Sequence, residues 1–316
     1  MHQTESAERS GGRLRPDAVL LAVTIVWGSS FVVVRHALDT APPLGLLFWR
    51  FAFATGIAGV VLVLRRRPRP RGFGRDALIL GSLLAAGMTL QVIGQAETTA
   101  TKAAFLTGLA VVLTPFVAVV RTRHLPTLEN GVGITLASLG FVLLTLPPRG
   151  SPWQAGDLWV GACGVVFAFY GVELAERAGR HDTLWLTAAM LVLVTAAAGA
   201  VWLLLRVGPL SHLPVAALES KPIPWSGSFP WSVAYLGSLC TLAAFLGWTW
   251  SQGRMSAIHG AIILALEPVV ASLLAAWLLG ERLGARGIAG AVLVLVGIVV
   301  SELRLSSPVP HGKRSG

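Results

Sequence analysis

The chain has 316 residues, of which 54% are hydrophobic and only 13% charged, with a mean hydropathy of +0.70. A soluble domain carries roughly 25% charged residues, so the composition excludes a water-soluble enzyme or binding module of useful size. The net charge of +10 does not point to nucleic acid, because Arg65, Arg66, Arg67, Arg69, Arg71 and Arg75 gather in one short segment between apolar stretches, the pattern of a cytoplasmic loop.

Along the chain, Met1 to Pro16 form a polar tail with Arg9, Arg13 and Arg15 and no small-residue cleavage site behind it, so the first apolar stretch reads as a retained helix. A membrane-spanning helix needs roughly 20 apolar residues. Ten stretches approach that length, at 17–37, 44–64, 77–95, 103–121, 130–147, 157–175, 184–205, 231–249, 256–279 and 285–303. Most connections are short; 206–230, rich in Pro, Ser and Gly, is the one long loop. The expected organisation is a cytoplasmic tail over 1–16, a five-helix repeat over 17–147, a second over 157–303 and a cytoplasmic tail over 304–316.

Two windows support the duplication. Thr98 to Pro115 lies over Ser251 to Pro268 without a gap, each apolar and each ending in a mid-span proline. Five spans per half is an odd number, so the second half enters the membrane upside down. Lys and Arg then divide better than two to one in favour of the segments on the side of the N-terminus, which places both termini in the cytoplasm. Trp153, Trp159, Trp185, Trp231 and Trp250 fall near span ends, where interfacial anchors belong. The expected fold class is therefore all-α, about ten transmembrane helices as two inverted five-helix repeats.

Glu267 is the sharpest single residue. It falls near the middle of the ninth span, where a charge costs roughly 2.5–3.5 kcal/mol on insertion scales. It reads as a group that takes up and releases a proton, as a receiver for a cationic substrate group, or as a brace for the break at Pro268. Pro115 and Pro268 are candidate helix breaks, since each removes an N–H and frees the carbonyl four residues back, Val111 or Leu264. Arg50, inside the second span, reads as a ligand for a substrate carboxylate, as a snorkelling side chain, or as half of an ion pair. Gln91 and Gln95 share one helix face and serve as cavity lining or as interhelical glue. Trp27, Tyr170 and Trp248 are candidate aromatic walls, with interfacial belts as the competing reading. His259 stands eight residues before Glu267, about 80° round the helix, so the two are not a ready-made relay. With Ser30 and Thr107, these residues make up the candidate substrate-binding set: Trp27, Ser30, Arg50, Gln91, Gln95, Thr107, Tyr170, Trp248 and His259.

Several motifs resemble one family. Trp27-Gly28-Ser29-Ser30-Phe31, Arg35 and Phe48-Trp49-Arg50-Phe51 resemble the opening helices of the drug/metabolite transporter superfamily, and of its EamA-type branch in particular. Thr98 to Pro115 is similar to that family's fourth helix; Glu267-Pro268, Leu279-Gly280-Glu281-Arg282-Leu283, Gly290 and Gly297 resemble the end of its second repeat. If Gly133 and Gly140 align with Gly290 and Gly297, Arg123-His124-Leu125 stands where the second half has Gly280-Glu281-Arg282, which favours a loop-end role for Glu281. The resemblance implies a ten-helix inner-membrane carrier for amino acids, other metabolites or drug-like molecules, often moving them outwards.

The expected function is a secondary transporter with alternating access around a midplane cavity, either proton-coupled or running down a gradient. No cofactor or metal is expected, because Gly-x4-Gly-Lys-Ser/Thr, His-Glu-x-x-His and Gly-x-Ser-x-Gly are all missing, and Cys163 and Cys240 are isolated. The expected partners are a small-molecule substrate, membrane lipid and protons, with no nucleic acid and a monomer or homodimer as the assembly. The rival is a membrane-embedded enzyme or lipid-modifying protein, which needs a cluster of His, Asp or Glu at one interface.

Overall fold

The computed structural model describes residues 15–66, 68, 70–123, 128–145, 154–278 and 284–302. The segment Leu279 to Leu283, Trp153 and His124-Leu125 lie outside the described residues. Eight helical passes are long and apolar enough to cross a membrane, and Gly131–Leu143 and Ala285–Val300 are shorter apolar helices. The chain is a multi-pass membrane protein, and its described residues form eight such passes and two shorter apolar ones.

The first seven passes are α1 (Pro16–Leu38), α2 (Pro43–Leu64), α3 (Gly74–Ala96), α4 (Ala100–Thr122), α5 (Leu128–Thr145), α6 (Ala155–Arg177) and α7 (Thr183–Arg206). The eighth is composite: α8 (Phe229–Tyr235), a π-helical stretch (Leu236–Ala243) and α9 (Ala244–Gln252). The ninth is broken into α10 (Ala257–Leu264) and α11 (Glu267–Leu278), and α12 (Ala285–Glu302) is the tenth. Local chemistry sets the starts. Thr99 Oγ1 accepts from Lys102 N, Asp182 Oδ1 from Leu184 N and Trp185 N, and Ser256 Oγ from His259 N, each satisfying amide donors that a first turn leaves orphaned.

The packing carries the inverted repeat. α2 packs on α7 and α5 on α12, each pair being its own counterpart when the halves are exchanged. α1 packs on α11 and α9, as α6 packs on α4 and α3. The α5–α12 contact shows why glycine stands at its crossing. A Cβ on Gly140 would fall 2.5 Å from Gly290 O, and a Cβ on Gly297 would fall 2.6 Å from Gly133 O. These are two contacts that correspond when the halves are exchanged, each with backbone against backbone and no room for a methyl group.

Each end is tied by polar contacts. At the end holding the arginine-rich α2–α3 loop, Arg177 Nε bonds Asp76 Oδ1 at 3.1 Å and His181 Nε2 lies 2.8 Å from Asp76 Oδ2. Arg121 there pairs with Glu173 at 3.0 Å and Glu176 at 3.1 Å. At the far end, Asp157 on α6 accepts from Thr98 Oγ1 at 2.6 Å, from Gln154 N at 3.0 Å and from Lys102 Nζ at 3.3 Å. The long loop also folds onto the far end through a 3-10 turn, Pro214–Glu219. Glu219 Oε1 accepts from Leu44 N at the start of α2, while Lys221 Nζ donates to Leu38 O and Asp39 O at the end of α1. A carboxylate at a helix N-terminus and an ammonium at a C-terminus both match the helix dipoles.

Candidate functional site

A cavity of about 80 Å³ lies between the two halves. One water needs roughly 10–15 Å³ on this measure, so several waters or part of a small solute fit. Its walls come from both repeats: Trp27, Ser30 and Phe31 on α1, Arg50 on α2, Met88 and Gln91 on α3, and Thr107, Gly108, Ala110, Val111 and Thr114 on α4. The second half closes it with Phe167 and Gly171 on α6, Phe245, Trp248 and Gln252 on α9, Ala257, Ala261 and Leu264 on α10, and Glu267 on α11.

The π-helical stretch organises one wall. A carbonyl oxygen has two lone pairs, and Cys240 O uses them for side chains from the other half: Trp27 Nε1 at 2.8 Å and a terminal nitrogen of Arg50 at 3.2 Å. Arg50 Nε also donates to Thr241 Oγ1 at 2.6 Å. π-helical turns inside α-helices are frequent at functional sites. Trp27 meets Trp248 edge to face at a centroid distance of 4.9 Å and Phe245 at 5.2 Å, and Tyr170 packs behind Trp248, also at 4.9 Å. Trp248 Nε1 donates to Gln252 Oε1 at 3.1 Å, and Gln252 Nε2 to Ser256 O.

A neighbouring part of the lining carries the break. After α10, Ala265 and Leu266 form a tight turn in which Leu266 N bonds Ile263 O, and α11 starts at Glu267. Pro268 is therefore the second residue of a half-helix, where its missing N–H costs nothing. Glu267 lines the cavity at the positive end of the α11 dipole and makes no hydrogen bond or ion pair among the described residues. At the matched position of the first half, α4 runs continuously through Pro115, with Thr114 Oγ1 donating to Ala110 O at 2.7 Å. The expectation of paired breaks is corrected here: one span is divided, the other is not. A proline in the first turn of a new helix is free of the ladder, whereas Pro115 stands in a helix interior that α5 and α6 pack against.

Of the residues singled out from the sequence, Trp27, Ser30, Arg50, Gln91, Thr107, Trp248 and Glu267 line this one cavity, and Gln91 Nε2 donates to Thr107 Oγ1 at 3.1 Å. Gln95 lines a smaller space of about 10 Å³ beside it, shared with Arg50, Gln91, Val34 and Leu46. Tyr170 is fully buried behind the wall, its hydroxyl 3.6 Å from Met190 Sδ. His259 is away from the cavity, 2.9 Å from Asp17 Oδ1 at the start of α1. Sequence reasoning passed over Phe31, Met88, Phe167, Phe245 and Gln252. Gln252 could have been found by its spacing of four from Trp248; the apolar four carry no signal that separates cavity from lipid.

The cavity is asymmetric along the membrane normal. It reaches Gln252, the last residue of α9, and Ala257, the first of α10, at the arginine-rich end. Towards the far end it stops at Arg50, Gln91 and Thr107, which at 1.5 Å per residue lie roughly 7–10 Å inside their helices.

The sequence profile of a family described as the EamA-like transporter family matches residues 14–146 and again 154–303. The chain belongs to the EamA-like transporter family. This EamA-like protein is 28% identical over 294 residues to an uncharacterized transporter of Archaeoglobus fulgidus, covering 93% of this chain and 87% of the relative. It is 27% identical over 289 residues to a probable terminal-alkyne amino-acid exporter of Streptantibioticus cattleyicolor, covering 87% and 91%. The uncharacterized inner membrane transporter YedA of Escherichia coli is 25% identical over 84% of the chain and 83% of its own length. A solved crystal structure superposes with a TM-score of 0.69 over 93% of this chain and all of that one; at 19% identity the likeness shows the fold alone.

Proposed function

We propose that this EamA-like transporter is a secondary exporter of small organic solutes, amino-acid-like or drug-like, with alternating access around the central cavity and proton coupling through Glu267. The observation that carries the reading is the Glu267 carboxylate, which faces a cavity inside the membrane at a helix break with no protein partner among the described residues. A charge held at that depth costs roughly 2.5–3.5 kcal/mol, which makes an ionisable group there a candidate for function. A single carboxylate that holds either a proton or a cationic group exchanges one for the other, the elementary step of an antiporter. The aromatic wall of Trp27, Phe245 and Trp248 suits an apolar or cationic body.

Arginine asymmetry supports a cytoplasmic location for both termini. With that orientation the cavity extends further towards the cytoplasmic ends of its helices than towards the far ends, which suits the loading state of an exporter. The printed description of one relative as a probable amino-acid exporter supports the solute class. Transport, rather than the membrane-embedded enzyme, is tested by counterflow: proteoliposomes preloaded with an unlabelled amino-acid and cationic-drug panel should accumulate trace labelled solute transiently. Liposomes that never show counterflow with any member contradict the reading.

A further inference from the structure

Arg50 is only 6% exposed, within a membrane-spanning helix, and no carboxylate pairs with it among the described residues. Guanidinium cannot shed its proton in a protein, so a full positive charge stands inside the bilayer. Snorkelling does not account for it, since the side chain is turned inward onto Thr241 Oγ1 and Cys240 O of the π-helical stretch. Those two acceptors are neutral. They use one N–H at Nε and one on a terminal nitrogen, out of five donors. The same side chain borders both the main cavity and the smaller space towards the far end.

We propose that Arg50 is an anion subsite that takes an acidic group, a carboxylate or similar oxyanion, of the transported solute. The site is built rather than incidental. Its guanidinium is held from behind by fixed acceptors, and Trp27, bonded to the same carbonyl, sets an indole beside it for the solute's apolar body. Gln91, which lines both spaces, stands at the same junction with its amide nitrogen committed to Thr107. Arg is the side chain suited to planar, two-point recognition of an oxyanion. The subsite deepens the transport reading and rests on it, but it makes a separate demand. Glu267 concerns protons and cationic groups; Arg50 concerns the acid.

The test is binding to the full-length protein in nanodiscs, by equilibrium dialysis with labelled 3-phenylpropionate, 4-methylpentanoate and indole-3-acetate, each beside its uncharged primary amide. At least one acid should bind about tenfold or more tighter than its amide, the factor expected of a hydrogen bond to a charged group. Arg50→Gln should bring acid and amide within about twofold, and Arg50→Lys should keep part of the preference. Equal binding of every acid and its amide by the unmodified protein overturns the proposal and needs no variant to fold. Full displacement of a bound acid by millimolar chloride or phosphate also overturns it, by assigning the subsite to inorganic anions. Transport failure is read separately, in the counterflow experiment, so acid-selective binding without counterflow removes the carrier reading and leaves Arg50 as an acid-binding site without a transported solute.

Discussion

Trp27 on α1 and Arg50 on α2 donate to the same backbone oxygen, that of Cys240, from the other half of the molecule. The bond fixes the indole against Trp248 and Phe245 and ties the opening helices to the π-helical stretch. Trp27→Phe keeps an aromatic ring but removes the N–H. It should cost about 1 kcal/mol of stability, the usual net value of one hydrogen bond, and weaken binding of an aromatic solute. Thermal unfolding in detergent reads the first effect. A variant as stable as the parent would mean that the shared acceptor contributes little.

The two ends carry related contacts, Lys102–Asp157 between α4 and α6 at the far end and His259–Asp17 between α10 and α1 at the arginine-rich end. The cavity already reaches the second end, so the first must part for access on the far side. Asp157→Asn removes the charge that holds Lys102. In that background a cysteine at Gln95 should react several-fold faster with a membrane-impermeant maleimide added from outside the cell. An unchanged rate would show that the far end is sealed by its apolar packing instead.

Glu219 gives a pH dependence outside the membrane-spanning segments. Burial raises its carboxyl from 4.5 to about 7, against the lowering effect of the Leu44 and Gly45 amides and of Arg206. A folded-state value above the unfolded one means that docking of the loop is fully stabilised below about 4.5 and weakens as pH rises through about 7. At about 1.4 kcal/mol per unit the loss is at most a few kcal/mol. Proteolysis of the 206–230 loop should be faster at pH 8 than at pH 5, and Glu219→Gln should remove the difference. Equal cleavage at both pH values in the parent would contradict it.

Gly140→Leu should push α5 off α12, since even a Cβ there meets Gly290 O at 2.5 Å. The α5–α12 pair stands apart from most of the cavity wall. The variant should lower the unfolding temperature by several degrees or more while any protein that remains folded keeps its solute affinity. Lost affinity with unchanged stability would reverse that assignment.

The sequence made much of this molecule legible, for specific reasons. Membrane spans announce themselves by length, because the bilayer fixes it, and the repeat is visible in the Thr98–Pro115 and Ser251–Pro268 windows. Polar residues in apolar surroundings pointed inward, so Arg50, Gln91, Thr107 and Glu267 reached one cavity. The rest was hidden by the solvent itself. In lipid both faces of a helix are apolar, so nothing in the residue type tells Phe245, which lines the cavity, from Phe116, which is 66% exposed on the outside. Proline marks a weakness without saying whether the ladder re-forms around it, hence the difference between Pro115 and Pro268. The π-helical stretch has no sequence signature, although it supplies the acceptors for Trp27 and Arg50.

The central claim is that Glu267 couples solute to protons. It is tested most directly by uptake of a counterflow-positive solute into proteoliposomes with and without an imposed pH gradient, for the parent chain and Glu267→Gln. If Glu267 carries the proton, the gradient drives accumulation in the parent, and the variant still exchanges solute but no longer responds to pH. Gradient-driven accumulation that survives in the variant would contradict it and return Glu267 to bracing the α10–α11 break.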